Sequence, residues 1–221
     1  MSDTDSFIDE VTEEVRRDRL FKMMRRYGWI AVLAVIAIVG GAAWNEWTKA
    51  NERAAAEDFG DAMLAALSVP DGAMRAAALS DVEAPNAASQ AMIDLLAAGE
   101  ESGAEPEAAA QRLLALADRS GIDPVYRQIA TLKAVAIPGS GLTAQERRTR
   151  LEGLALESGF VRLLAQEQLA LIAVELGDRD GALTQLQQLV ADAEATPDLR
   201  RRASQVIVAL GGDLSEAPEE E

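Results

Sequence analysis

The sequence predicts an all-α chain: an N-terminal transmembrane helix followed by an α-solenoid of antiparallel helical hairpins. Three observations predict it. From Tyr27 to Asn45, nineteen consecutive residues carry no formal charge, and a helix of that length is about 28 Å long, close to the hydrocarbon thickness of a bilayer. Beyond it, apolar positions recur at helical spacing between short clusters of Gly, Pro and Asp. Strand-favouring residues are sparse outside the apolar run, with four Phe, two Tyr and three Trp in 221 residues, whereas Ala is abundant.

Composition removes whole classes of function. There is no Cys and no His, so disulfides, Cys or His metal sites, thiolate nucleophiles and imidazole acid/base pairs are excluded together. The formal net charge of -16 argues against a nucleic-acid partner, which concentrated Lys and Arg would bind, and equally against an anionic lipid surface. The acidity reads as a soluble, self-repelling surface.

The organisation expected along the chain is a charged cytoplasmic tail over residues 1–26, a transmembrane helix over 27–45, a helical domain over 46–211 and a disordered acidic tail over 212–221. In the first segment Phe7, Ile8, Val11, Val15 and Leu20 recur at roughly helical spacing among charges, the pattern of an amphipathic helix. The spanning helix carries Tyr27 and Trp29 at one end and Trp44 and Trp47 at the other, where amphipathic rings prefer the headgroup level. Six cations precede it, Arg16, Arg17, Arg19, Lys22, Arg25 and Arg26, against Lys49 and Arg53 shortly after. That asymmetry predicts an N-terminus held in the cytoplasm. Gly41-Ala42-Ala43 resembles a signal-peptidase site, but the 26 residues before the segment are long and patterned for a signal n-region. An anchor is the better reading.

The helices follow in order. Ala54, Ala55, Phe59, Met63, Leu64 and Leu67 give an amphipathic helix that Pro70-Asp71-Gly72 ends. A shorter one fits Ala73 to Val82 before Pro85-Asn86. Asn86 suits an N-cap for a helix with Ala87, Met92, Leu95 and Leu96, stopped by the stretch from Gly99 to Pro106. Pro106 then opens a helix with Leu113, Leu114, Leu116 and Ala117 inward, ending near Gly121. Asp123-Pro124 pairs an N-cap with proline at the first helical position, opening a helix with Ile129, Leu132, Ala136 and Ile137. Thr143 and Glu146 have the spacing of a capping box, leading through Leu151, Leu154 and Ala155 to Gly159. An α-solenoid or a helical bundle fits such a series.

The stretch from Arg162 to Gly211 is the most specific. Two helices flank Gly177-Asp178, and a third follows Pro197. This spacing resembles a tetratricopeptide repeat, two antiparallel helices with small residues where they cross. With Leu163 at its first position, Leu169 and Ala170 fall on the hydrophobic-then-small pair of the first helix. Gly177 falls on the turn and Ala182 on the small residue early in the second helix, followed by apolar Leu186 and Leu189. The requirement is steric, because helices crossing at about 8–10 Å leave room only for Ala or Gly at the contact.

At the level of the whole chain the layout resembles the bacterial ancillary SecYEG translocon subunit family, in its alphaproteobacterial form with a tetratricopeptide-like domain. The residues that carry the resemblance are Arg16-Arg17-Asp18-Arg19, Trp29 and Trp44, and the run Leu176-Gly177-Asp178, Ala182, Leu186, Leu189, Pro197, Leu199-Arg200 and Ala203 to Leu210-Gly211. The resemblance implies an inner-membrane protein with a single span and a periplasmic interaction domain beside the SecYEG translocon. It implies association with a membrane-anchored periplasmic peptidyl-prolyl isomerase, and a role in handing newly translocated, unfolded chains to periplasmic chaperones. The family has no catalytic motif to transfer.

Other readings of single features are weaker. Asp178 and Asp180 beside Gly177 read as a solvated turn and N-cap rather than a metal site. Gly139-Ser140-Gly141 lacks the Lys and the further glycines of a phosphate loop. The clusters Arg147, Arg148, Arg150 and Arg200, Arg201, Arg202 read as helix faces with some ion pairing, or as places to hold an acidic peptide. No catalytic, cofactor or metal residue is assigned, and the chain reads as a non-enzyme. The alternative function is a scaffold for cell-envelope assembly or cell division without a translocon role.

Overall fold

The structure, a computed structural model, describes residues 3–213, with side chains from Phe21 onward apart from those of Lys22 and Ala31. The acidic run Glu219-Glu220-Glu221 and the apolar stripe expected between Phe7 and Leu20 therefore lie outside the described side chains. Among the described residues there are nine helices and no strand: α1 (Asp3–Leu67), α2 (Gly72–Ser80), α3 (Ala87–Glu101), α4 (Pro106–Ala117), α5 (Pro124–Ala136), α6 (Ala144–Ala155), α7 (Phe160–Glu175), α8 (Arg179–Ala191) and α9 (Pro197–Ala209).

Packing divides the chain at Glu57/Asp58 into two compact units. The boundary falls inside the stretch 46–211 expected as one domain. Residues 46–57 of α1 are almost wholly exposed, whereas Phe59 and Met63 join a core with Leu79 and Ile93. In the first unit α1 holds a segment long and apolar enough to cross a membrane, none of it buried against protein. Ile30, Leu33, Ile36 and Val39 all face outward there. Such a surface is unfavourable in water and favourable in hydrocarbon.

In the second unit the predicted caps form. Asn86 accepts from the Ser89 backbone N–H at 2.9 Å, Asp123 from that of Val125 at 2.9 Å, and Pro106, Pro124 and Pro197 each open a helix. Thr143 and Glu146 make the full capping box, satisfying two backbone donors reciprocally.

Each helix from α2 to α9 packs on the next, and α3 also touches α5, as α5 touches α7. Among the described residues the first hairpin makes no comparable contact with the last, so the series is an open solenoid rather than a closed bundle. The helices meet through alanines. Ala91 and Ala98 of α3 and Ala130 and Ala134 of α5 are fully buried in one cluster with Leu113 and Leu116.

The inward face of several helices is accordingly rotated from the one the larger apolar residues suggest. Met92 and Leu96 of α3 stay 43% and 36% exposed and Ile129 of α5 38%, and Ala87, Ala136, Leu64 and Leu67 are exposed too. Close helix crossing selects small side chains for the contact and leaves the bulky ones outside it.

Candidate functional site

The α7–α8 hairpin and α9 build the site. Leu163 and Ala170 of α7, Leu186 and Leu189 of α8, and Leu199, Ala203 and Ile207 of α9 are buried in one cluster. Ala182 is fully buried as well, at the start of α8. Leu169 is half-buried and points to the neighbouring cluster around Val135, Leu151, Ala165 and Ile172. Gly177 adopts φ +80°, the left-handed turn that ends α7. Its N–H donates to Val174 O at 3.0 Å and that of Asp178 to Ala173 O at 2.9 Å, a Schellman closure. Asp178 then caps α8 by accepting from the Gly181 N–H at 3.0 Å. Pro197 is the first residue of α9, with Thr196 as its N-cap. Leu163, Ala170, Leu186 and Leu189 thus share one cluster, whereas Leu169 packs on the neighbouring one.

What that construction leaves open is a groove. The layer of α3, α5 and α7 closes by helix contact, but α7 and α9 make no comparable backbone contact. Between them lies a trough of about 680 Å³, walled by Leu164, Leu171 and Val174 on one side and Val206, Ala209 and Leu210 on the other, over Leu186. Leucine and valine stand on both walls here, where α3 and α5 bury alanines between them.

A single ion pair crosses the trough. Glu167 of α7 is buried, and its two oxygens accept from Arg202 of α9, Oε1 from Nε at 2.9 Å and Oε2 from Nη2 at 2.8 Å. This fork-to-fork geometry fixes the spacing of the two walls. The Arg202 guanidinium is pushed to a still higher pKa by that bond.

The remaining arginines of the two clusters turn to their own chain. Arg147 pairs with Glu175, Arg150 with Asp118, Arg148 with Glu152 and Arg201 with Asp198, while Arg200 donates to Asp192 O at 2.8 Å. Arg147 and Arg150 thereby hold α6 to neighbouring elements, Arg148 and Arg201 pair within their own helices, and Arg200 meets the end of α8.

The groove itself was not singled out in the sequence, although α7 carries a signal for it. Leu164, Leu171 and Val174 add an apolar stripe beyond the one that meets α8, so α7 is apolar nearly all round. Glu167, midway along such a helix, signals a buried charge in need of a partner.

In the first unit, Tyr27, Trp29, Trp44 and Trp47 are each more than half exposed, at the two ends of the uncharged segment. Trp29 Nε1 donates to Arg26 O at 3.1 Å, and the Trp44 and Trp47 rings lie 5.5 Å apart. Among the described residues no group of three or more Asp or Glu side chains converges as a metal site would require. No protein-family model, no curated protein and no solved structure matches this chain.

Proposed function

We propose that this chain is a membrane-anchored protein-binding module ancillary to the Sec translocon. It crosses the bacterial inner membrane once, with the N-terminus in the cytoplasm and the helical array in the periplasm. The array associates with the SecYEG translocon and a membrane-anchored periplasmic peptidyl-prolyl isomerase, and helps pass newly translocated chains to chaperones. It acts by holding segments of other proteins rather than by catalysis.

The observation that carries the reading is the open apolar groove of about 680 Å³ between α7 and α9, on a chain that also has an uncharged, wholly exposed helical segment. Apolar surface left in the open on an otherwise charged domain marks a place where another molecule sits. The orientation rests on the six cations ahead of the segment. The translocon and isomerase rest on the resemblance of the whole layout.

Photoreactive residues at Leu171 and Val206 in the full-length chain, activated in intact cells, test it. Crosslinks to translocon subunits, the isomerase or nascent periplasmic chains are expected. Crosslinks confined to division or envelope-assembly proteins would replace the translocon role with the scaffold one.

A further inference from the structure

We propose that the groove between α7 and α9 receives a short helix of a partner protein, apolar on one face and bearing one carboxylate that the free edge of Arg202 binds. This rests on the reading of the array as a binding module and specifies what it binds. Along α7 the groove runs from Leu164 to Val174, about 15 Å at the helical rise, or roughly ten residues of an incoming helix. Both walls and the floor are helices, whose backbone groups bond internally. An extended segment laid there would leave most of its amides facing apolar side chains, with Gln168, Gln205 and the Arg202 edge as the polar partners at hand. A helix satisfies its own backbone and presents side chains to one face at intervals of three and four.

The charge of the occupant follows from the two ionisable residues that line the groove, Glu167 and Arg202. The Glu167 side chain is 10% exposed and both its oxygens are taken, whereas that of Arg202 is 49% exposed. Arg202 spends Nε and Nη2 on Glu167, and its Nη1 has no partner among the described residues. A guanidinium edge with two free N–H groups beside an apolar trough suits a carboxylate. The exposed member of the pair is thus the cation, with Asp198 the other carboxylate acting on it, and it is the guanidinium edge that an entering segment meets. A lysine at that place would face Arg202 at like sign.

The test uses full-length protein in lipid nanodiscs and two fluorescein-labelled synthetic helices. Both carry leucines spaced three and four apart, and they differ at one central residue, Glu or Lys. Anisotropy is corrected for binding to empty nanodiscs. The Glu helix is expected to bind about tenfold tighter, as a hydrogen bond to a charged group implies. The preference should vanish in a Glu167→Gln, Arg202→Gln double variant, which removes both charges and leaves an amide pair, with folding checked by circular dichroism. Leu171→Glu, at an exposed wall position, should abolish binding of both helices. Equal binding of the two helices that Leu171→Glu abolishes would keep the binding module and overturn the carboxylate. Binding indifferent to Leu171→Glu, or no binding of either helix, would overturn both. A Glu preference surviving in the double variant would overturn the role of Arg202.

Discussion

Leu186 and Leu199 are both fully buried in the same cluster, yet truncating them should not cost the same. Leu→Ala deletes three carbon groups, so at about 0.8 kcal/mol per buried CH₂ the transfer contribution is about 2.4 kcal/mol at either site. The sites differ in what lies beside them. Leu186 underlies the floor of the α7–α9 groove, whereas Leu199 lines no part of it. Space vacated at Leu186 joins the open trough and adds little further penalty. Space vacated at Leu199 stays enclosed and adds a cavity contribution, for a total of about 4 kcal/mol. The expected difference is about 1.5 kcal/mol. With a urea dependence of about 2 kcal/mol per molar, the midpoints of the two variants separate by about 0.7 M. Urea titration of the full chain in mild detergent, followed by far-ultraviolet circular dichroism, reads this directly. If Leu186→Ala proves as costly as Leu199→Ala, no open space lies above Leu186 and the groove argument fails.

Three further outcomes are expected. Ala182→Trp should lower the melting temperature by overfilling the α7–α8 crossing at a cost of ~1–3 kcal/mol or more; an unchanged value would contradict the repeat alignment. Gly177→Ala should cost about 1 kcal/mol, because φ of +80° strains any residue with a Cβ, and thermal melting of a domain this size should register it as a fall of about 2–4 °C. Acid should weaken the array. Arg150 holds the Asp118 carboxyl below its usual range, Arg162 does the same for Asp192, and the Thr143 N–H and hydroxyl do it for Glu146. Folded values lower than unfolded ones give stability that is complete above the usual carboxylate range, near pH 4, and is lost as pH falls below it. A melting temperature that rises between pH 5 and pH 3, on the order of that window, would refute the pairing.

Helix starts were legible because their chemistry is local. Asn86, Asp123-Pro124 and the pair Thr143 and Glu146 each act within one turn, and a one-dimensional reading captures them whole. The inward faces were less legible. A large apolar residue suggests the core, but in α3 and α5 the alanines at 91, 98, 130 and 134 define it, because the separation of two helices is set by whatever stands at their crossing. Met92, Leu96 and Ile129 are large enough to be kept out of that contact. Leu163, Leu186 and Leu189 are buried beside the small residue Ala170 in one cluster, and Ala182 is fully buried as well. The groove escaped the reading because it is a gap between α7 and α9, which lie two helices apart, and its one local mark is the second apolar stripe of α7.

The acidic surface and the arginines are two sides of one device for fixing the stacking. Arg75 reaches Glu100, Arg119 reaches Asp94, Arg147 reaches Glu175, Arg162 reaches Asp192, Arg150 reaches Asp118 and Arg202 reaches Glu167, across separations of 25 to 35 residues. That distance is about one helical hairpin, so the charge pairing repeats with the architecture although no residue motif repeats in the sequence. Singly, most of these partly exposed pairs contribute little, about 0–1 kcal/mol. Their effect lies in what they forbid. An Ala- and Leu-rich helix can slide or rotate against its neighbour with small loss of apolar contact. A one-turn slip would separate Arg202 from Glu167 and strand a buried carboxylate, at several times the cost of losing an exposed pair. Alanine thus gives the array its closeness and arginine gives it its register. At the groove the Glu167–Arg202 pair fixes the spacing of the α7 and α9 walls.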